Sequence, residues 1–129
     1  MTTEKKIIAT EKAPAAVGPY SQATVTGNLM FTAGQIPLDP ANGQLVTGDI
    51  GEQTHRVLQN IQALLQAAGS ILAAVTKTTV FMTDMADFKR MNIVYAEYFP
   101  SEPPARSTVQ VAALPLGAQI EIECIALVR

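Results

Sequence analysis

The stretch PPARSTVQV, residues 103–111, places an arginine behind two prolines and at the head of a β-like run. A strand that only packs has no use for a guanidinium among valines. Arg106 is permanently cationic and can grip a carboxylate through two parallel hydrogen bonds. The next β-like run, residues 119–128, carries Glu121 and Glu123. Arg106 therefore has two readings, a clamp for a substrate carboxylate or a buried ion pair with Glu121 or Glu123. Tyr20 follows a Gly-Pro that fixes its backbone, and by itself reads as a core or interface aromatic. His55 lies beside Arg56, off the apolar stripe of its helix, and reads as a solvated side chain. Cys124, the one thiol, reads as a small buried hydrophobe.

Composition narrows the chemistry. The chain has 129 residues, the length of one domain spanning 1–129. Its net charge of -2 argues against a dedicated nucleic-acid binder, which needs a basic patch for phosphates. One histidine and one cysteine cannot build a His/Cys metal site, and one cysteine cannot form an internal disulfide. No window approaches a membrane span and no secretory signal is visible, so the expected location is cytoplasmic. Only 16% of residues are charged, a hint that a monomer exposes surface that assembly covers. The loop PLDPANG has no Gly-rich phosphate pattern, so no nucleotide site is indicated.

The elements that must position these residues follow from periodicity. Residues 6–10, 20–26 and 29–35 read as strands, the last two joined at Gly27-Asn28. Residues 13–19 read as a loop. Residues 37–48 read as a longer one, with a small turn at Asn42-Gly43. Asp49 and Glu52 predict a capping box. Val57, Leu58, Ile61, Leu64, Leu65 and Ala68 then fall on one helical face, and Gly69 ends the helix. Residues 75–83 are β-branched and aromatic, hence a strand. A second helix follows Asp84, with Asp87 at capping-box spacing. It buries Phe88, Met91, Tyr95, Tyr98 and Phe99 and stops at Pro100. Residues 106–113 and 119–128 close the chain.

The order β-β-β-α-β-α-β-β predicts an α+β, two-layer domain: a mixed sheet with two helices on one face. Alternation puts Ile120, Ile122, Cys124, Ala126 and Val128 under the helices, and Glu121, Glu123, Ile125 and Leu127 on the open face. In the preceding strand, Val109, Val111 and Ala113 read as the packed side. Arg106, Thr108, Gln110 and Ala112 read as the open side. An open face this mixed suggests subunits packing sheet to sheet around a polar cleft.

The segment PARSTVQVAALPLGAQIEIECIAL, residues 104–127, resembles the signature of the RidA/YjgF family of imine deaminases. APAAVGPYSQA, FTAGQIPLDP and KTTVFMTDMADFKRMNIVYAEYF resemble further blocks of that family in the same order, so the likeness covers nearly the whole chain. The resemblance implies a chorismate-mutase-like fold, a homotrimer with active sites between subunits, and hydrolysis of 2-imino acids to 2-keto acids and ammonia without metal or cofactor. It implies that Arg106 holds the substrate carboxylate, that Glu121 orients or activates water, and that the Tyr20 hydroxyl points into the cleft. Ala33 and Gly34 would let backbone approach the ligand, Asn92 would lie near the cleft, and the backbone near Thr108 would assist Arg106. The sequence departs from several relatives, which carry cysteine where Thr108 stands, so no thiol is available there. Its linker before Arg106 also looks shorter than in some relatives, which would alter the cleft mouth. A different class of function, binding of small carboxylates by a regulatory or translation-inhibitor (endoribonuclease-like) protein without turnover, fits the same arginine.

Overall fold

The computed structural model describes residues 4–129. Strands β1 (Lys6–Ile8), β2 (Ala23–Thr26) and β3 (Leu29–Thr32) form a meander, with Gly27 at φ 57° in the β2–β3 turn. A small hairpin follows, β4 (Leu38–Asp39) and β5 (Gln44–Leu45), built on the expected Asn42-Gly43 turn. Then come α1 (Ile50–Ala67), β6 (Val75–Met82), α2 (Phe88–Tyr98), β7 (Ala105–Gln110) and β8 (Ile120–Leu127). The six-stranded sheet has the order β1-β2-β3-β8-β6-β7. Its neighbours are antiparallel except β6 and β7, whose parallel pairing is made possible by the α2 crossover.

Helix α1 forms where its caps and stripe demand it. The Asp49 carboxylate accepts a hydrogen bond from the Glu52 N–H at 3.0 Å. At the far end Gly69, at φ 75°, donates to Gln66 and Ser70 donates to Leu65, closing a Schellman turn. Val57, Leu58, Ile61, Leu64 and Leu65 are wholly buried, as are Ile120, Ile122 and Ala126 of β8. Each such valine, leucine or isoleucine contributes roughly 1.5–3 kcal/mol. Helix α2 starts later than its sequence suggests. Asp84 bonds the Ala86 N–H and opens a short 3-10 turn, and Asp87 caps nothing with its side chain.

The strand 29–35 is interrupted. Phe31 faces Ile125 on β8, yet Gln35 bridges Ile122, where an unbroken register would bring it opposite Glu121. One extra residue is accommodated between them, a bulge within residues 32–34.

One expected face is reversed. Residues paired across a ladder share a face. Arg106 pairs with Thr78, Thr108 with Val80 and Gln110 with Met82, and those three β6 residues are buried under the helices. Arg106, Thr108 and Gln110 therefore lie on the helix side, and Val109 lies on the open side with Phe81 and Glu121. The reason is position: β7 is an edge strand, and its helix-side residues need not be apolar where helix cover runs out. Its valine instead joins Phe31, Leu127 and Ile7, all exposed on the open face.

Candidate active site

The expected site residues fall into two clusters on opposite faces of the sheet. The first surrounds Arg106. Its guanidinium carbon sits 4.7 Å from the centroid of the Tyr95 ring and 5.5 Å from that of Phe88, within cation–π range. Both rings belong to α2, and Asn92 shares their face, four residues after Phe88 and three before Tyr95. The Tyr95 hydroxyl is 2.7 Å from Thr78 Oγ1, which ties the ring to the strand residue paired with Arg106. Burial pushes the Tyr95 phenol up, so it stays neutral beside the cation.

Two buried polar atoms here have no hydrogen-bond partner: Asn92 Oδ1 and Thr108 Oγ1. A buried unsatisfied polar atom costs about 1–3 kcal/mol, and such a cost is tolerated where a ligand supplies the missing bond. The backbone adds a donor. Val111 N–H bonds inward to Met82 at 2.8 Å, so by alternation in a parallel ladder the Thr108 N–H points to the free edge.

The second cluster surrounds Glu121. It lines a cavity of about 560 Å³ with Tyr20, Ala33, Gly34 and Pro115, closed by apolar side chains such as Val17, Ile36 and Leu38. Burial in this cavity raises the Glu121 carboxyl above the usual carboxylate range, and the neighbouring charge of Glu123 raises it further. Gly34 leaves room beside it. A Cβ at position 34 would overlap the Glu121 carboxylate, coming within 2.7 Å of its Cδ. The bulge is held by Gln35, whose side chain donates to the Ala33 carbonyl at 3.2 Å. The Tyr20 hydroxyl accepts a hydrogen bond from the Val17 N–H at 3.3 Å.

Arg106 and Glu121 do not pair with each other. Among the described residues the ion pairs are His55–Glu97 at 3.9 Å and Arg90–Asp49 at 3.5 Å. The reading of Arg106 as partner to Glu121 or Glu123 within one chain is thereby set aside. His55 is not simply solvated: its Nδ1 lies 2.9 Å from the Tyr98 hydroxyl, on the α1–α2 seam. Cys124 is buried under the helices, with its thiol pushed up to about 11 by burial. No group of three or more His, Cys, Asp or Glu among the described residues could hold a metal ion, and no helix is long and apolar enough to cross a membrane.

Sequence reasoning placed Phe88 and Tyr95 in a packing stripe and missed that they cradle Arg106. Their shared spacing with Asn92 was the available signal. It also passed over Pro115, and over Gln22 and Asn60, two buried amides that tie down the cavity walls. Asn60 donates to the Ile36 and Leu38 carbonyls at 3.3 and 2.9 Å.

Comparison with known proteins gives a consistent result. The family model described as Endoribonuclease L-PSP matches residues 10–128. Reactive Intermediate Deaminase A, chloroplastic, of Arabidopsis thaliana is 52% identical over 125 residues, covering 97% of this chain and 67% of that protein. The 2-iminobutanoate/2-iminopropanoate deaminase of Bos taurus is 50% identical over 122 residues, covering 95% and 89%. The crystal structure of E. coli TdcF with bound serine superposes with a TM-score of 0.91 at 44% identity, covering 96% of this chain and 98% of that one.

Proposed function

The chain belongs to the Endoribonuclease L-PSP family, which is the RidA/YjgF family, and we propose that it hydrolyses small 2-imino acids to 2-keto acids and ammonia. The observation that supports this reading is a guanidinium with no carboxylate partner among the described residues, set beside two buried polar atoms that also lack partners there. Arg106 and the Thr108 N–H hold the substrate carboxylate. Asn92 and the Thr108 hydroxyl complete the polar contacts. Glu121, with its raised affinity for a proton, takes one from a water that attacks the imine carbon. A C–O bond forms as the C=N π bond opens, and that proton passes to nitrogen. The carbinolamine hydroxyl then gives up its own proton, relayed through Glu121 to nitrogen, as the C–N bond breaks, so ammonia leaves and a keto acid remains. Tyr20 and Gly34 shape the pocket. Because Arg106 and Glu121 face opposite sides of one sheet, a single site needs both from different copies of the chain, as in a homotrimer with sites between subunits.

Imine hydrolysis is well suited to such a site. The reaction needs no strong nucleophile, and positioning with charge stabilisation suffices. The test couples this protein to a pyridoxal-phosphate-dependent serine or threonine dehydratase and follows keto-acid release. Acceleration over buffer is expected, and none would end the enzymatic reading. A second reading, binding of small carboxylates without turnover, is favoured by the serine bound to the structural neighbour TdcF. Calorimetric keto-acid binding alongside absent hydrolysis would select it. RNA cleavage is disfavoured by the net charge of -2.

A further inference from the structure

Residues 10–20 form a loop whose base is gripped by one buried side chain. Gln22 is 6% exposed. Its Oε1 accepts from the Thr10 N–H at 2.8 Å. Its Nε2 donates toward the carbonyls of Thr10 at 3.0 Å, Ala13 at 3.2 Å and Pro14 at 2.7 Å. An amide serves this place because only an amide brings an acceptor and two donors on one rigid plane. The loop it fixes then closes on Tyr20. Gly18, at φ 125°, accepts at its carbonyl from the Tyr20 N–H at 2.9 Å, and the Val17 N–H donates to the Tyr20 hydroxyl. The hydroxyl has accepted one bond and, among the described residues, donates none, so its proton is free to bond an occupant of the Glu121 cavity, one of the cavities that Tyr20 lines.

We propose that Gln22 is a positioning residue that acts through Tyr20, setting the hydroxyl as a hydrogen-bond donor to the attacking water or the ligand. This rests on the imine-hydrolysis reading above. Holding the 10–14 segment fixes Val17, and Val17 selects which lone pair of the phenol is occupied. Without the grip the ring can still pack, but its proton has no fixed direction.

A double-mutant cycle tests this. Gln22→Leu and Tyr20→Phe are each expected to lower kcat/KM about tenfold, which is about 1.4 kcal/mol of lost transition-state stabilisation. In the Tyr20→Phe background, Gln22→Leu is expected to cost little more. Independent losses, about a hundredfold together, would overturn the proposal. If Gln22→Leu does not fold, Gln22→Glu replaces it, keeping the Thr10 acceptor and the shape. It is expected to lose activity relative to wild type as pH rises and its carboxylate faces three carbonyls, and to recover as pH falls. A flat ratio would overturn the proposal. A readout free of catalysis separates this failure from failure of the hydrolysis reading. The ring NMR signals of Tyr20 are expected to shift in the Gln22 variant, with those of Tyr95 and Tyr98 unmoved. Unchanged Tyr20 signals would overturn the positioning role even if no imine were hydrolysed.

Discussion

The two clusters solve opposite problems. Around Arg106 the protein exposes a cation on an edge strand and surrounds it with ring faces, which attract charge without neutralising it. Around Glu121 it buries an anion in a largely apolar cavity, which penalises charge and favours the proton. One region is built to stay charged and the other to titrate. Among the described residues neither is ion-paired. The lesson is that one sheet carries the two groups on opposite faces, so the proposed chemistry, if it needs both, would have to draw them from different copies of the chain.

The contrast can be broken from either side. Arg106→Ala is expected to have the largest effect, a loss of about 10³-fold in kcat/KM in the coupled assay, since it removes a charged contact that builds the site. The oligomer, read by light scattering, is expected to be unchanged. Glu121→Gln is expected to cost about 10²-fold by removing the base. The wild-type rate is expected to fall as pH drops through a carboxyl pKa above the usual range, and the variant to lose that limb. The stability sign is the reverse of the usual acid case. A raised folded pKa gives a contribution present at low pH and lost as pH rises. Glu121→Gln is therefore expected to raise Tm slightly at neutral pH and not at acid pH.

Mixing sharpens the comparison. Arg106→Ala and Glu121→Gln chains unfolded and refolded together are expected to regain about a quarter of wild-type activity, the share of sites that draw both intact residues from different copies. No recovery would place clamp and base on one chain. The smallest effect is expected for Gly34→Ala, which pushes the Glu121 carboxylate aside. About tenfold lower kcat with little change in Tm is expected, because the displaced atoms end a flexible side chain.

Much of this architecture was legible in the sequence. Asp49, the stripe from Val57 to Leu65 and Gly69 specify α1 locally, and the structure follows them. The alternation of β8 was equally clear, because a central strand must bury one whole side. Strand β7 misled for the complementary reason. Alternation divides an edge strand into two sets but does not say which set faces the helices, and Val109 covers the open face instead. The candidate site residues came from family resemblance. Their division into two clusters was not, since it depends on the register of Thr78 against Arg106. The one-residue shift of register between Phe31 and Gln35 was hidden too, because such a slip leaves no mark in composition.

The parallel edge strand β7 has a consequence for the life of the protein outside catalysis. Its outer edge pairs with no other strand among the described residues, and unpaired edges recruit other strands indiscriminately. Nature blunts such edges with proline and charge, and here Pro103, Pro104 and Arg106 stand at its entrance. The rest of the strand, Ser107 to Gln110, has no such guard. If the proposed sites form between copies of the chain, dilution below that assembly would have two effects: the proposed activity would be lost, and this edge would be left open to other strands. Solubility on dilution and activity on dilution should fail together.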